Sequence, residues 1–76
     1  MTNRNKCAKQ IKPYWLEMCR ALAENNMILS QAARELGMPR NTFRAHCVEI
    51  ALGTGLNPLN FYDLNELLYM EVEKHD

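Results

Sequence analysis

The sequence predicts an all-α fold: a small helical bundle built around a helix-turn-helix, with three core helices and an additional C-terminal helix. Three observations predict it. Trp15, Met18, Cys19 and Leu22 recur at i, i+3, i+4 and i+7, the spacing of one helix face. Boundary residues punctuate the chain at short intervals, among them Pro13, Asn25-Asn26, Gly37, Pro39, Gly55 and Asn57-Pro58. No stretch alternates apolar and polar residues as a half-buried strand does.

Residues 1–12 are polar and basic with no helical period, so they read as a flexible arm. Pro13 suits the first turn of a helix, where its missing N–H costs nothing. Asn25-Asn26 closes that helix, because Asn tolerates the left-handed conformation that ends helices. A second helix is expected from about Ser30 to Leu36, with Ser30 capping it or lying just inside its start. Gly37 ends it. Pro39 starts a third helix that runs to about Leu52, where Gly53 and Gly55 stop it. Asn57-Pro58 begins a fourth helix over roughly 58–73. The chain therefore divides into an arm (1–12), a helix-turn-helix region (13–56) and a C-terminal helical segment (57–76).

At 76 residues the chain is one domain, and a domain of that size buries only about 60% of the surface its unfolded chain exposes. A partner subunit often completes so small a core. Three cysteines, Cys7, Cys19 and Cys47, cannot all pair within one chain and show no Cys-x-x-Cys spacing. They read as reduced thiols of a cytoplasmic protein. Cys47, His46 and His75 match no zinc-ligand spacing, so no metal is expected. The opening "MTNRNKCAKQIK" has no apolar run behind its basic residues, and no stretch approaches the roughly 20 apolar residues a membrane helix needs.

Formal neutrality hides a polarised chain. Residues 1–46 hold eight Lys and Arg against three Glu, a balance of +5, and residues 47–76 hold one Lys against six acids, a balance of −5. One end suits a polyanion and the other repels it.

The stretch "SQAARELGMPRNTFRAH", residues 30–46, carries the chemistry. Two helices joined by a short Gly-containing turn form a helix-turn-helix, and their crossing needs small residues where the backbones meet. Ala32 and Ala33 supply them, with Leu36, Met38 and Phe43 as the apolar plug. At 100° per residue, Phe43, Cys47 and Ile50 face the core. Asn41 and Ala45 lie opposite, with Arg44 on one edge and Thr42 on the other, while Arg40 stands in the first turn. Arg pairs bidentately with guanine, Asn with adenine, and a small methyl side chain contacts the thymine methyl. Recognition helices touch base edges with their N-terminal residues. Double-stranded DNA is the expected partner.

The run "SQAARELGMPRNTFR" resembles the Fis-type helix-turn-helix family over residues of about 15–52. That resemblance implies main DNA contacts from Arg40, Thr42 and Arg44, with Ser30 and Gln31 touching phosphate. The sequence departs from the family pattern at Pro39, where a capping Ser or Asn is usual. Ala45 and His46 stand where a family member carries lysines. Some twenty residues also follow the usual end. The first two departures weaken nonspecific phosphate attraction, which favours a site-specific regulator over a DNA coater. Arm residues Arg4, Lys6, Lys9 and Lys12 restore part of the charge if they reach a groove or the backbone.

In the C-terminal helix Phe61, Leu64, Leu68 and Val72 form one stripe, flanked by Tyr62 and Tyr69, while Leu59, Leu67 and Met70 lie on a separate side. One side is expected to cover the core, including Val48. The other is expected to pair with a second copy about a two-fold axis. That places Phe61, Tyr62, Leu64, Leu67, Leu68 and Met70 at a homodimer interface. Family dimer contacts usually lie N-terminal to the motif, so this pairing uses a different element. Two recognition helices about 34 Å apart would read a palindromic operator. The expected function is a homodimeric repressor of phage or mobile-element type that needs no cofactor. The competing reading is a small inhibitor or adaptor that binds another protein through the acidic, aromatic segment 59–73. No enzyme is expected: His46 and Cys47 are sequence neighbours that point about 100° apart on a helix and cannot form a dyad.

Overall fold

The structure is a computed structural model, and it describes residues 10–72 of the chain. The all-α expectation holds. Among the described residues, four helices, α1 (Pro13–Glu24), α2 (Leu29–Glu35), α3 (Arg40–Thr54) and α4 (Phe61–Leu68), are framed by two short strands, β1 (Gln10–Ile11) and β2 (Glu71–Val72). The strands pair in parallel, Gln10 with Glu71 and Ile11 with Val72.

Helix α1 forms as its pattern dictates. Trp15, Leu16, Met18, Cys19, Ala21 and Leu22 are buried along one side. Its end is a Schellman cap: the Met27 N–H donates to the Leu22 carbonyl at 2.6 Å and the Asn26 N–H to the Ala23 carbonyl at 3.4 Å. Asn26 takes φ 57°, as its type allows, and Met27 follows at φ 64°. The same cap ends α2, where Met38 N–H donates to the Ala33 carbonyl and Gly37 N–H to the Arg34 carbonyl, both at 3.0 Å. Gly37 stands at φ 68°, the left-handed turn expected of it. In both caps the methionine that closes the bond packs on the core.

Helix α2 starts at Leu29 with Ile28 at its N-cap position, so Ser30 lies just inside the helix and caps nothing. Its fully buried residues are two alanines, Ala32 and Ala33. Asn25 ties the helix down from α1: its Nδ2 donates to the Ala21 carbonyl at 2.8 Å and to Glu35 Oε1 at 2.9 Å. Phe43, Cys47 and Ile50 of α3 are buried as expected, and Leu36 and Met38 pack at the core's edge.

Several expectations fail for identifiable reasons. Of the flexible arm over 1–12, residues 1–9 lie outside the described residues. Gln10 and Ile11 form a strand instead, with the Ile11 side chain wholly buried. Helix α3 does not stop at Leu52 and Gly53. It runs on to Thr54, and Gly55, at φ 79°, ends it. Buried Thr54 secures the exit: its Oγ1 donates to the Ile50 carbonyl at 2.7 Å and accepts the Leu56 N–H at 3.1 Å. The C-terminal helix does not start at Asn57-Pro58 or reach residue 73. Asn57 instead makes a turn, its Oδ1 accepting the Leu59 N–H at 3.0 Å. Asn60 is the true cap, accepting the Asp63 N–H at 3.0 Å, while Asp63 reaches back to accept the Asn57 N–H at 3.0 Å. Residues beyond Leu68 turn into β2. Val48 is not covered and stays exposed.

Gly53 has a steric reason to be glycine. A Cβ there would sit 2.7 Å from Cη2 of Trp15, a rigid and nearly buried ring. Helix propensity alone makes Gly53→Ala stabilising by about 1 kcal/mol, but overpacking costs about 1–3 kcal/mol. Gly53→Ala is therefore expected to lower the denaturation midpoint and shift the emission of Trp15, the only tryptophan. In a Trp15→Phe background the same change should turn neutral or stabilising, which a double-mutant cycle in urea measures.

Candidate nucleic-acid interface

A cleft of about 440 Å³ opens between the start of α2 and the start of α3. Ile28, Leu29, Ser30, Arg40, Asn41 and Arg44 line it. Four of the seven residues expected to touch DNA, Ser30, Arg40, Asn41 and Arg44, thus meet in one place. Gln31, Thr42 and Ala45 are exposed on the same two helices but outside the cleft's lining. With Phe43, Cys47 and Ile50 turned into the core, Asn41 falls on the opposite face and Arg44 on its edge, while Arg40 is exposed because it is the first residue of α3 and has no preceding turn beside it.

The electrostatics of this corner are one-sided. The lining holds two guanidinium groups and no carboxylate. Neither Arg40 nor Arg44 makes a salt bridge among the described residues. Pro39, the N-cap of α3, provides no side-chain cap, so the first-turn N–H groups keep their free hydrogens and the positive end of the helix dipole adds to the arginines. Charge-assisted, forked donors of this kind fit phosphate or a guanine edge.

Two features escaped the sequence reading. The cleft has an apolar side, Ile28 and Leu29, legible only as the "MIL" that precedes Ser30. A polar clasp also braces α3 against α1. The Tyr14 hydroxyl donates to Glu49 Oε1 at 3.4 Å, and His46 Nδ1 meets the same oxygen at 3.0 Å. The Tyr14 and His46 rings stand edge-on with centroids 5.5 Å apart. Tyr14 and Glu49 lie 35 positions apart in the chain, so no local pattern announces the clasp.

The expected homodimer surface divides. Leu64 and Leu67 are buried in the chain's own core and are not free to meet a second copy. They face inward because α4, shorter than expected, lays that side on α1. Leu68 and Met70 are half-buried against the same core, and of the six only Phe61 and Tyr62 are exposed.

Among the described residues no group of three or more His, Cys, Asp or Glu could hold a metal ion. No helix among them is long and apolar enough to cross a membrane. Comparison with protein-family models, curated proteins and solved structures gave no match.

Cys19 of α1 and Cys47 of α3 are buried free thiols. Burial pushes the Cys19 thiol up to about 12, with nearby Cys47 adding to the shift. Burial likewise pushes Cys47 up to about 11, against a pull downward from Arg44. An unfolded thiol ionises near 9.0, so above that pH the unfolded state loses protons that the folded state retains. Stability from this source is complete below about pH 8.5 and is lost as pH rises toward the folded values. Urea midpoints should fall between pH 9 and 11, and less steeply in a Cys19→Ala/Cys47→Ala variant.

Proposed function

We propose that this protein is a cytoplasmic, sequence-specific DNA-binding regulator that seats the N-terminal half of α3 in the major groove. It represses by occupying a promoter. The observation that carries this reading is the cleft where Ser30, Arg40, Asn41 and Arg44 converge without a carboxylate. The two-alanine crossing, the Gly37 turn and the resemblance of residues 30–44 to the Fis-type pattern support it.

Arg40 and Arg44 stand one helical turn apart, about 6 Å along the axis. That spacing lets one guanidinium reach a base edge while the other grips the flanking backbone. Asn41, between them on the outer face, is suited to adenine. Ser30 and Gln31, in the first turn of α2, lie where a phosphate of the groove's wall would pass. The −5 balance of residues 47–76 keeps the other part of the molecule off the duplex.

Two copies on a palindromic site follow as the economical arrangement, since one recognition helix reads too few bases for a unique address. With Leu64 and Leu67 committed to the monomer's core, α4 is a poor two-fold contact. The operator then organises the pair.

The test is a gel shift on operator fragments first selected from random duplex DNA by the wild-type protein. Arg40→Ala/Arg44→Ala should lose about 1–3 kcal/mol of binding for each side chain. The slope of log K against log salt should fall by roughly one unit for each of the two groups that grips a phosphate. Unchanged occupancy by a double variant with wild-type helical content overturns the reading.

A further inference from the structure

The outer face of α4 has no role in the DNA reading, and its composition is unusual for solvent. Leu64 and Leu67 turn inward, which by helical geometry turns Phe61, Tyr62, Asn65 and Glu66 outward, and Tyr69, the C-cap just past the helix, is exposed beyond them. Tyr62, Asn65, Glu66 and Tyr69 follow i, i+3, i+4, i+7, the spacing of a single helical stripe. Tyr69 is 88% exposed, Tyr62 77% and Phe61 58%. The Phe61 and Tyr62 rings stack edge-on, with centroids 5.5 Å apart. Two tyrosines two turns apart, about 10 Å along the axis, with a carboxylate midway, are costly to leave in water and serve no core. Exposed aromatics gathered along one stripe mark interaction surfaces.

Charge selects the occupant. From residue 47 to residue 72 the chain carries Glu49, Asp63, Glu66 and Glu71 and no Lys or Arg. That excludes nucleic acid and an anionic lipid surface. It also disfavours a second copy, because a two-fold axis over the middle of this stripe sets Glu66 against its own image. A cationic segment suits it: guanidinium groups stack on tyrosine faces and fork onto the Glu66 carboxylate. The stripe's straight run suits a helix laid alongside.

We propose that the stripe Tyr62–Glu66–Tyr69, along α4 and its C-cap, is a docking site for a basic, amphipathic helical segment of a different protein. The site needs neither the cleft nor DNA, so it stands or falls separately from the regulator reading. Its affinity rests on the two tyrosines as aromatic anchors, and its selectivity on the carboxylates around them.

The experiment titrates the isotope-labelled full chain with a synthetic helical peptide of about four turns carrying Arg and Leu along one face. The expected result is a saturable shift centred on residues 61–71. It should weaken about tenfold or more in Tyr62→Ala/Tyr69→Ala, the loss typical of aromatic anchors, and be reversed to repulsion by a peptide with Glu in place of Arg. Because both tyrosines are exposed, the variant should keep its helical circular dichroism, and it is scored only against that control. Equal binding by the double variant overturns the proposal. So does equal binding of a peptide with Ser in place of Leu, which reports diffuse charge attraction. A concentration-dependent dimer in sedimentation that Tyr69→Ala abolishes also overturns it, since a second copy then owns the face.

Discussion

The outward row on α3 depends on two methyl groups. Helix α2 has seven residues, and Ala32 and Ala33 are the only ones it buries completely. An isolated helix of that length is unstable in water. It exists here because small side chains let its backbone lie close to α1 and α3, where Leu36, Met38 and Phe43 fill the remaining space. The closeness fixes how α3 is rolled about its own axis. Roll it by one residue, about 100°, and Arg44 goes under the core while Phe43 and Ile50 come out.

The rest of the chain holds that geometry from its ends. Two Schellman caps stop α1 and α2 at defined residues, so the turns between helices have little freedom. Asn25 bridges from the end of α1 to Glu35 at the end of α2, and Tyr14, His46 and Glu49 fasten α1 to the middle of α3. Thr54 and the α4 cap turn the chain back so that β2 reaches β1. A core this small gains from each such fixed connection, because every one shrinks the set of competing arrangements. The polar connections lie mostly at the surface, each worth about 1 kcal/mol at best. Their value is in orientation more than in stability.

Much of the fold and part of the site were legible in the sequence. The four helices, the Gly37 turn, the inward set Phe43, Cys47 and Ile50 and the outward placing of Asn41 and Arg44 follow from a 3.6-residue period and known boundary residues. What stayed hidden depends on distant partners. Ile11 reads as a lone apolar residue in a polar arm until Val72 arrives beside it. Gly53 reads as a stop because a glycine inside a helix is costly, but its missing side chain makes room for Trp15. Asn57-Pro58 reads as the start of the last helix, but Asn60 caps it three residues later, with Asp63 reaching back to Asn57. The sixteen-residue helix expected at the end also led to Leu64 and Leu67 being placed on an outer face, whereas its shorter successor spends them on α1.

The molecule thus separates two chemistries along one short chain: forked cations at the junction of α2 and α3, and carboxylates with tyrosines on α4. The central claim concerns the first. Titrating the isotope-labelled chain with its selected duplex, and following each backbone amide, tests it most directly. The account predicts that Ser30, Gln31 and residues 40–45 shift together and saturate at one chain per half-site. Shifts concentrated on α4, with Arg40, Asn41 and Arg44 undisturbed at saturation, would contradict it.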